Sequence, residues 1–199
     1  MNDPEALIER AKAYVTRLFA FSSGGHGADH TLRVYRTALR LLAEEPEADP
    51  LVTALAALLH DADDPKLFST ENNENARTFL REAGAPPETV EAVCRAVNSV
   101  SFSRNGLSRP DTPEGRIVQD ADRLDALGAV GAARTFAYGG EHGRSLADSV
   151  RQFDEKLLLL RDGMNTSAGR AMAEDRHAFL ITFLRQYRKE TEVAPSADA

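Results

Sequence analysis

The chain has 199 residues, of which 42% are apolar and 28% are charged, and its formal net charge is −7 at pH 7. These values fit one soluble globular domain, and the negative charge argues against a mainly electrostatic grip on nucleic acid. The single cysteine, Cys94, excludes an internal disulfide and suits a reducing compartment. The first residues lack the basic-then-apolar order of a signal peptide, so we expect a cytoplasmic protein that contacts no membrane.

Helical periodicity is the main pattern along the chain, and it predicts an all-α fold. Most of the predicted helices start or end at a residue that favours a helix terminus, such as Asp, Thr, Pro or Gly. In chain order, the predicted helices cover residues 4–20, 30 to before 46, 51–61, 69–81, 86–97, 112–124, 126–138, 145–161 and 167–190. The segment 98–112 is a polar loop by composition. We expect one domain over residues 1–190 and a flexible tail over residues 191–199.

The predicted helix 51–61 is apolar on nearly every side, so it should be the central buried helix of the bundle. It ends in His60 and Asp61. Burying an imidazole and a carboxylate without partners would be costly, and a metal ion would satisfy both side chains at once. A solvated helix end is the alternative explanation of this pair.

Two further side chains complete a four-residue set with His60 and Asp61. His30 begins the inner stripe of the second predicted helix, and Asp120 shares a helical face with apolar neighbours, whereas Asp122 faces elsewhere. Two imidazoles and two carboxylates form a mixed nitrogen and oxygen set that suits one borderline divalent cation. Such an ion, with coordination positions left over, can activate water, which points to metal-assisted hydrolysis of a phosphate ester or anhydride.

Alternatives remain open for several of these residues. A buried Asp120 could pair with Arg123 instead of a metal. His26 lies four residues before His30, but the glycines around it disfavour a helix, so we expect His26 in a loop near the substrate. His177 lies inside a predicted helix and is expected to pack there.

Several motifs resemble those of the HD superfamily of metal-dependent phosphohydrolases. Residues 26–34 (HGADHTLRV) resemble its HxxxHxxRV entry, and residues 56–64 (AALLHDADD) resemble its AALLHDxxD core. Residues 119–140 (QDADRLDALGAVGAARTFAYGG) resemble a long signature of one bacterial branch, the small stand-alone enzymes similar to a Bacillus nucleotide pyrophosphohydrolase. The likeness extends over roughly residues 20–190, and the combination of motifs is highly specific.

The resemblance implies an all-helical HD fold and one divalent transition metal, manganese first, with iron, cobalt, nickel or zinc as alternatives. It implies that His30, His60, Asp61 and Asp120 are the metal ligands. One departure concerns substrate contacts, because Gly27 and Ala28 stand where the branch commonly has an Asp and an aromatic residue. The absence of extra histidines after His60 until position 142 favours one metal over two.

For catalysis, the resemblance to mononuclear HD nucleotidases points to Asp64 as general acid or base, with Asp63 as the alternative and Asp61 as a ligand that also takes part in catalysis. Cations near the ligands in sequence are candidates for stabilising charge on the reacting phosphate. We therefore expect a substrate-binding set formed by Arg33, Lys66, Arg123 and His26. Each cation could instead be an ordinary surface or ion-pair residue.

The resemblance favours nucleoside triphosphates as substrates, cleaved to a monophosphate and pyrophosphate. A nucleoside 5′-monophosphatase is the runner-up. A non-catalytic nucleotide sensor and a helical interaction module are further alternatives, which a complete ligand set argues against. The expected partner is a small nucleotide, not a nucleic-acid polymer or a membrane, and a homodimer is left open.

Overall fold

The computed structural model describes residues 3–21 and 27–191, and over these ranges the chain is helical without a β-strand, which confirms the predicted all-α fold. The ten α-helices of these ranges are α1 (Pro4–Leu18), α2 (Ala28–Leu42), α3 (Pro50–Leu59), α4 (Glu74–Glu82), α5 (Pro87–Asn98), α6 (Phe102–Asn105), α7 (Pro113–Asp125), α8 (Gly128–Glu141), α9 (Leu146–Gln152) and α10 (Ser167–Thr191). None of them is long and apolar enough to cross a bilayer. Residues 192–199, most of the expected tail, lie outside the described ranges.

Helix α3 is the centre of the bundle, as its sequence predicts. Every residue from position 52 to position 59 is buried, and the helix packs against α1, α2, α5 and α7. Its start is fixed by the Asp49 carboxylate, which accepts a hydrogen bond from the Val52 N–H at 2.9 Å, and by Pro50 in the first turn. The helix ends at Leu59, so His60 and Asp61 occupy the turn that follows it.

Helix α7 lies beside α2 and α3, and its start also matches the sequence analysis. The Thr112 hydroxyl accepts a hydrogen bond from the Gly115 N–H at 3.1 Å, ahead of Pro113 in the first turn. Its apolar face contributes to the core through four fully buried side chains, Ile117, Val118, Ala121 and Leu124. The packing of α7 on α2 and α3 brings its polar residues next to His30 and His60.

The start of α4 and the segment 98–112 differ from the prediction. Helix α4 starts at Glu74 and not near residue 69, because Asn72 and Asn73 adopt positive φ angles of 53° and 57° that a helix cannot contain. The polar segment 98–112 includes α6, which is a single helical turn, so it is not entirely a loop.

The predicted helix 145–161 is divided into three parts with different winding. Helix α9 is followed by a π-helical turn, Phe153–Leu157, and then by a 3₁₀ segment, Leu158–Gly163. The Phe153 ring is fully buried and packs against the rings of Phe136 and Phe183 at centroid distances of 5.8 and 5.7 Å. Periodicity alone predicts a continuous helix here, because it carries no signal for a local change from four-residue to five-residue hydrogen bonding.

Candidate metal centre and pocket

His30 and His60 meet in the interior, where their Nε2 atoms face each other at 3.3 Å. His30 is the third residue of helix α2, and His60 lies in the turn after α3. Both side chains are nearly inaccessible, with 1% and 2% of their surface exposed. The outer nitrogen of each ring has a firm partner: His60 Nδ1 donates to the Ala57 carbonyl at 2.9 Å, and His30 Nδ1 contacts Asp125 Oδ2 at 2.7 Å.

Two carboxylates lie close to the paired Nε2 atoms. Asp61 places its oxygens 3.4 Å from His30 Nε2 and 3.5 Å from His60 Nε2. Asp122 Oδ1 lies 3.5 Å from His30 Nε2 and 3.8 Å from His60 Nε2. Among the described residues, His30, His60 and Asp122 form a group whose ligand atoms are close enough to hold one metal ion, and Asp61 adjoins it.

The donor set fits a divalent cation for a chemical reason. A carbonyl oxygen can only accept, so His60 Nδ1 carries the hydrogen and the Nε2 of the neutral ring presents a lone pair. The contact with Asp125 orients His30 in the same way. Two lone pairs then converge with carboxylate oxygens, which requires a positive charge between them. Atoms at about 2.1 Å from one metal ion lie roughly 3–3.4 Å apart, near the separations seen.

The pKa of His30 reflects the negative charge of the surrounding carboxylates. Burial lowers the pKa of His30, but the neighbouring carboxylates of Asp125 and Asp61 outweigh this effect and raise it to about 9. The site therefore attracts a proton, and the same negative field favours a metal cation in its place.

The structure does not bring Asp120, an expected ligand, into the group formed by His30, His60 and Asp122. Asp120 does face inward and is fully buried, but it points towards the start of α10. Its carboxylate accepts hydrogen bonds from the backbone N–H groups of Asn165 and Thr166, from the Asn165 amide and from the Thr166 hydroxyl, at 2.8–3.1 Å. Helix α7 therefore directs Asp120 towards residues 165 and 166 and Asp122 towards His30 and His60. From the sequence, Asp122 was expected to face elsewhere.

Asp125 is a residue beside the metal centre that sequence reasoning missed. Its buried carboxylate contacts His30, both Nε and Nη2 of Arg33 at 2.8 and 3.1 Å, and Arg134. Burial raises the pKa of Asp125, but the hydrogen bonds from His30 and Arg33 dominate and hold it far below its usual range. The signal was available, since Asp125 follows Asp122 by three residues and therefore shares its side of α7.

This network gives Arg33 a different task from the expected one. Arg33 pairs with Asp125 and with the exposed Asp29, so the structure uses it to hold the carboxylate that orients His30. It does not line the pocket beside the metal centre. The ion pairs raise the pKa of Arg33 above its usual value, as expected for a guanidinium held between two carboxylates.

A pocket of about 290 Å³ opens beside the metal centre. His60, Asp61, Asp64 and Asp122 form its acidic end. Its basic wall comes largely from elements that were not singled out in the sequence, and it consists of Lys66, Arg134, Arg144 and Lys156. Of these four cations, only Lys66 was among the expected substrate-binding residues.

Arg123 also borders the pocket, but its hydrogen bonds are structural. One terminal nitrogen donates to the Gly163 carbonyl and the other to the Gly106 carbonyl, the latter at 2.7 Å. The residue is 2% exposed, and burial lowers the pKa of Arg123. Arg123 therefore joins α7 to two neighbouring segments, and the alternative of an ion pair with Asp120 is not what the structure shows.

The two candidates for proton transfer lie in different environments. Asp64 lines the pocket and accepts a hydrogen bond from the Lys66 backbone N–H at 2.8 Å. Asp63 is buried, and its two oxygens accept from the Asn75 and Ala76 N–H groups at 2.9 and 3.1 Å, so it holds the first turn of α4. Both oxygens of Asp63 are therefore occupied by backbone hydrogen bonds. His26, the remaining expected substrate contact, lies outside the described residues.

Comparison with known proteins identifies the family of this chain. The family model of the HD domain matches residues 27–127, the part of the chain that carries His30, the His60–Asp61 pair and Asp122. The chain belongs to the HD domain family.

Relatives of similar length support this assignment. Over 96% of this chain, the sequence is 36% identical to YpgQ of Bacillus subtilis, of which 95% is covered. A crystal structure of B. subtilis YpgQ in complex with ADP superposes with a TM-score of 0.82 at 33% identity, over 98% of this chain and 99% of that one. An HD-superfamily hydrolase from Bacillus thuringiensis gives a TM-score of 0.77 at 34% identity, over 96% of this chain and 100% of that one.

Proposed function

We propose that this protein is a metal-dependent phosphohydrolase that acts on nucleotides and releases pyrophosphate from nucleoside triphosphates. The observation that carries the proposal is the pair of buried Nε2 atoms, 3.3 Å apart, that converge with Asp61 and Asp122 at the acidic end of a pocket with a basic wall. A metal-dependent hydrolase for an anionic phosphate compound uses a cation-binding centre together with positive groups that stabilise the charge of the substrate.

The residues that would hold the metal are His30, His60, Asp61 and Asp122, with Asp122 in place of the expected Asp120. When bound, a divalent ion supplies Lewis-acid chemistry and lowers the pKa of a water molecule. Nitrogen and carboxylate oxygen ligands suit manganese, and also iron, cobalt, nickel or zinc.

The protein's own groups have separate tasks in this proposal. Asp125 fixes the orientation of His30 through Nδ1. Asp64 accepts a proton from the attacking water or returns one to the leaving oxygen, because it is the carboxylate of the pocket nearest in sequence to the centre that is not assigned as a ligand. Lys66, at the mouth of the pocket, contributes positive charge towards the phosphate groups.

The nucleotide part of the proposal is supported by the relatives. B. subtilis YpgQ, which shares the fold over almost the whole chain, has been crystallised with ADP. The pocket of about 290 Å³ lies at the lower end of the range for small-molecule sites. Several cations in one wall suit a diphosphate or triphosphate better than a single phosphate, which favours pyrophosphate release over monophosphate hydrolysis.

A product assay tests the proposal. Metal-loaded protein is incubated with nucleoside mono-, di- and triphosphates, and the products are followed by phosphorus NMR, with Asp122→Asn as the inactive control. We expect pyrophosphate and a nucleoside monophosphate from triphosphates. Orthophosphate from monophosphates alone would identify a nucleoside 5′-monophosphatase. Nucleotide binding without any product would identify a sensor.

A further inference from the structure

Lys156 is a cation of the pocket lining for which the described part of the chain offers no acidic partner. It lies on the π-helical turn 153–157, faces the pocket and is only partly exposed. Within the described ranges, no carboxylate forms an ion pair or hydrogen bond with its ammonium group. The other deeply placed cations of this wall are engaged, since Arg134 pairs with Asp125 and Arg123 donates to two carbonyls.

The side chain of Lys156 is held in place by an aromatic ring. Its Nζ lies 5.2 Å from the centroid of the Phe102 ring, which belongs to the one-turn helix α6 and also lines the pocket. A cation over a ring face at this distance is attracted by the quadrupole of the ring. The contact keeps the ammonium group inside the pocket, where it is available to a ligand without a large loss of side-chain freedom.

The charges around Lys156 favour an anion beside its ammonium group. Burial lowers the pKa of Lys156, the charge of Asp122 raises it, and the positive charges of Lys66 and Arg134 lower it further. The ammonium group therefore lies near enough to the metal centre to sense Asp122, and near enough to Lys66 to be repelled by it. An anion between the two lysines would remove this repulsion.

The winding of the chain explains how a charged residue reaches this position. Phe153, three residues earlier, is fully buried in an aromatic cluster, and Leu157 is buried as well. In a continuous α-helix, residues three apart share a face, so Lys156 would follow Phe153 towards the core. The π-helical turn changes this relation, and a π turn inside a helix often marks a functional site.

We propose that Lys156 binds the phosphate tail of the substrate, together with Lys66, and so determines the preference for compounds with two or more linked phosphates. This inference rests on the proposed phosphohydrolase function and adds to it the residue that reads the anionic tail. An ammonium group that points at a phosphate oxygen forms a charge-assisted hydrogen bond, which is about twice as strong as a neutral one.

The test measures binding of inorganic pyrophosphate, ADP and adenosine to metal-loaded protein by calorimetry. We expect Lys156→Gln to weaken pyrophosphate and ADP binding by about 10–100-fold, the loss of one charge-assisted contact, and to leave adenosine binding unchanged. Lys156→Arg should recover most of the affinity. The matched control is Lys189→Gln, an exposed lysine on α10 outside this pocket, which should bind all three probes like the wild type.

The possible results separate this inference from the proposed function. Lys156→Met, which keeps the apolar stem, serves as the second variant, and circular dichroism and metal content establish that each variant is folded and loaded. Unchanged pyrophosphate binding by both variants would overturn the role of Lys156, as would a wild-type protein that binds no pyrophosphate. If the wild type binds pyrophosphate through Lys156 but neither binds nor cleaves nucleotides, the lysine assignment stands and the nucleotide function fails.

Discussion

Asp120 and Asp122, two residues apart on α7, serve opposite purposes. Asp120 is fully buried, and backbone and side-chain donors from residues 165 and 166 occupy both of its oxygens. The Asp122 side chain is 27% exposed, lines the pocket and lies beside two imidazoles. An acid whose hydrogen bonds are all satisfied by its own fold stabilises structure, whereas an acid that faces solvent and lone pairs is available for chemistry.

The same contrast applies to the turn after α3. Asp63 holds the start of α4, and Asp64, the next residue, lines the pocket. In both regions a buried carboxylate bound by the fold stands beside a more exposed carboxylate that lines the pocket. The following predictions test this division, in order of decreasing effect on the rate of hydrolysis.

The largest effect is expected from Asp122→Ala. The variant should fold, retain its unfolding free energy in the presence of chelator and lose metal-dependent hydrolysis by roughly 10⁴-fold, because a bound metal supplies several kcal/mol of transition-state stabilisation. Metal analysis and a phosphate-release assay measure both properties. Full metal content with normal activity would show that Asp122 is not a ligand.

Asp64→Asn should retain the metal and lose about 10²–10⁴-fold in rate, the usual contribution of a general acid or base. The amide preserves the volume but cannot exchange a proton. The matched variant is Asp63→Asn, which should lower the melting temperature while leaving the rate per folded molecule near that of the wild type. A slower reaction in the Asp63 variant with a normal Asp64 variant would reverse these roles.

Asp125→Asn should weaken metal binding or activity by about 10–100-fold, because residues that orient a metal-binding histidine typically have effects of this size. Competition with a chromophoric chelator measures the affinity. Asp29→Asn is the control, since Asp29 contacts the same Arg33, but its side chain is 75% exposed and meets the backbone N–H of His30 rather than the imidazole. Equal losses in both variants would indicate an indirect effect through Arg33.

The smallest effect on rate is expected from Asp120→Ala, which should instead lower the free energy of unfolding by about 3 kcal/mol, since it leaves buried donors at the start of α10 without an acceptor. Chemical denaturation measures this loss. We expect added metal to raise the melting temperature of this variant and of the wild type, but not that of Asp122→Ala. Loss of metal from folded Asp120→Ala would contradict its structural role.

Much of the fold could be predicted from the sequence, because the apolar stripes and helix starts are local signals. The central position of α3 and the start of α7 at Thr112 were visible in this way. The sequence could not show whether Asp120 or Asp122 lies at the metal centre. Both belong to α7, and one side of this helix borders residues 165 and 166 whereas another borders His30 and His60. Only the approach of residues 165 and 166 decides which carboxylate is already satisfied.

The remaining differences also depend on distant contacts. Arg33 is near a ligand in sequence, but Asp125, ninety-two residues away, takes its guanidinium group. Lys156 enters the pocket through a local change in winding that hydrophobic periodicity does not record. Proximity to a ligand in the sequence is therefore a weaker guide to a substrate contact than position relative to the folded cavity.

The contacts of the Asp125 carboxylate limit which substitutions this part of the protein can tolerate. It receives contacts from His30 and Arg33 on α2 and from Arg134 on α8, while it belongs to α7. One negative charge thus balances basic groups from two other helices, and its removal would leave them facing one another in the interior. In a library of variants, position 125 should tolerate fewer substitutions than any exposed acidic position, and changes at Arg33 or Arg134 should be accepted only in combinations that preserve this balance of charge.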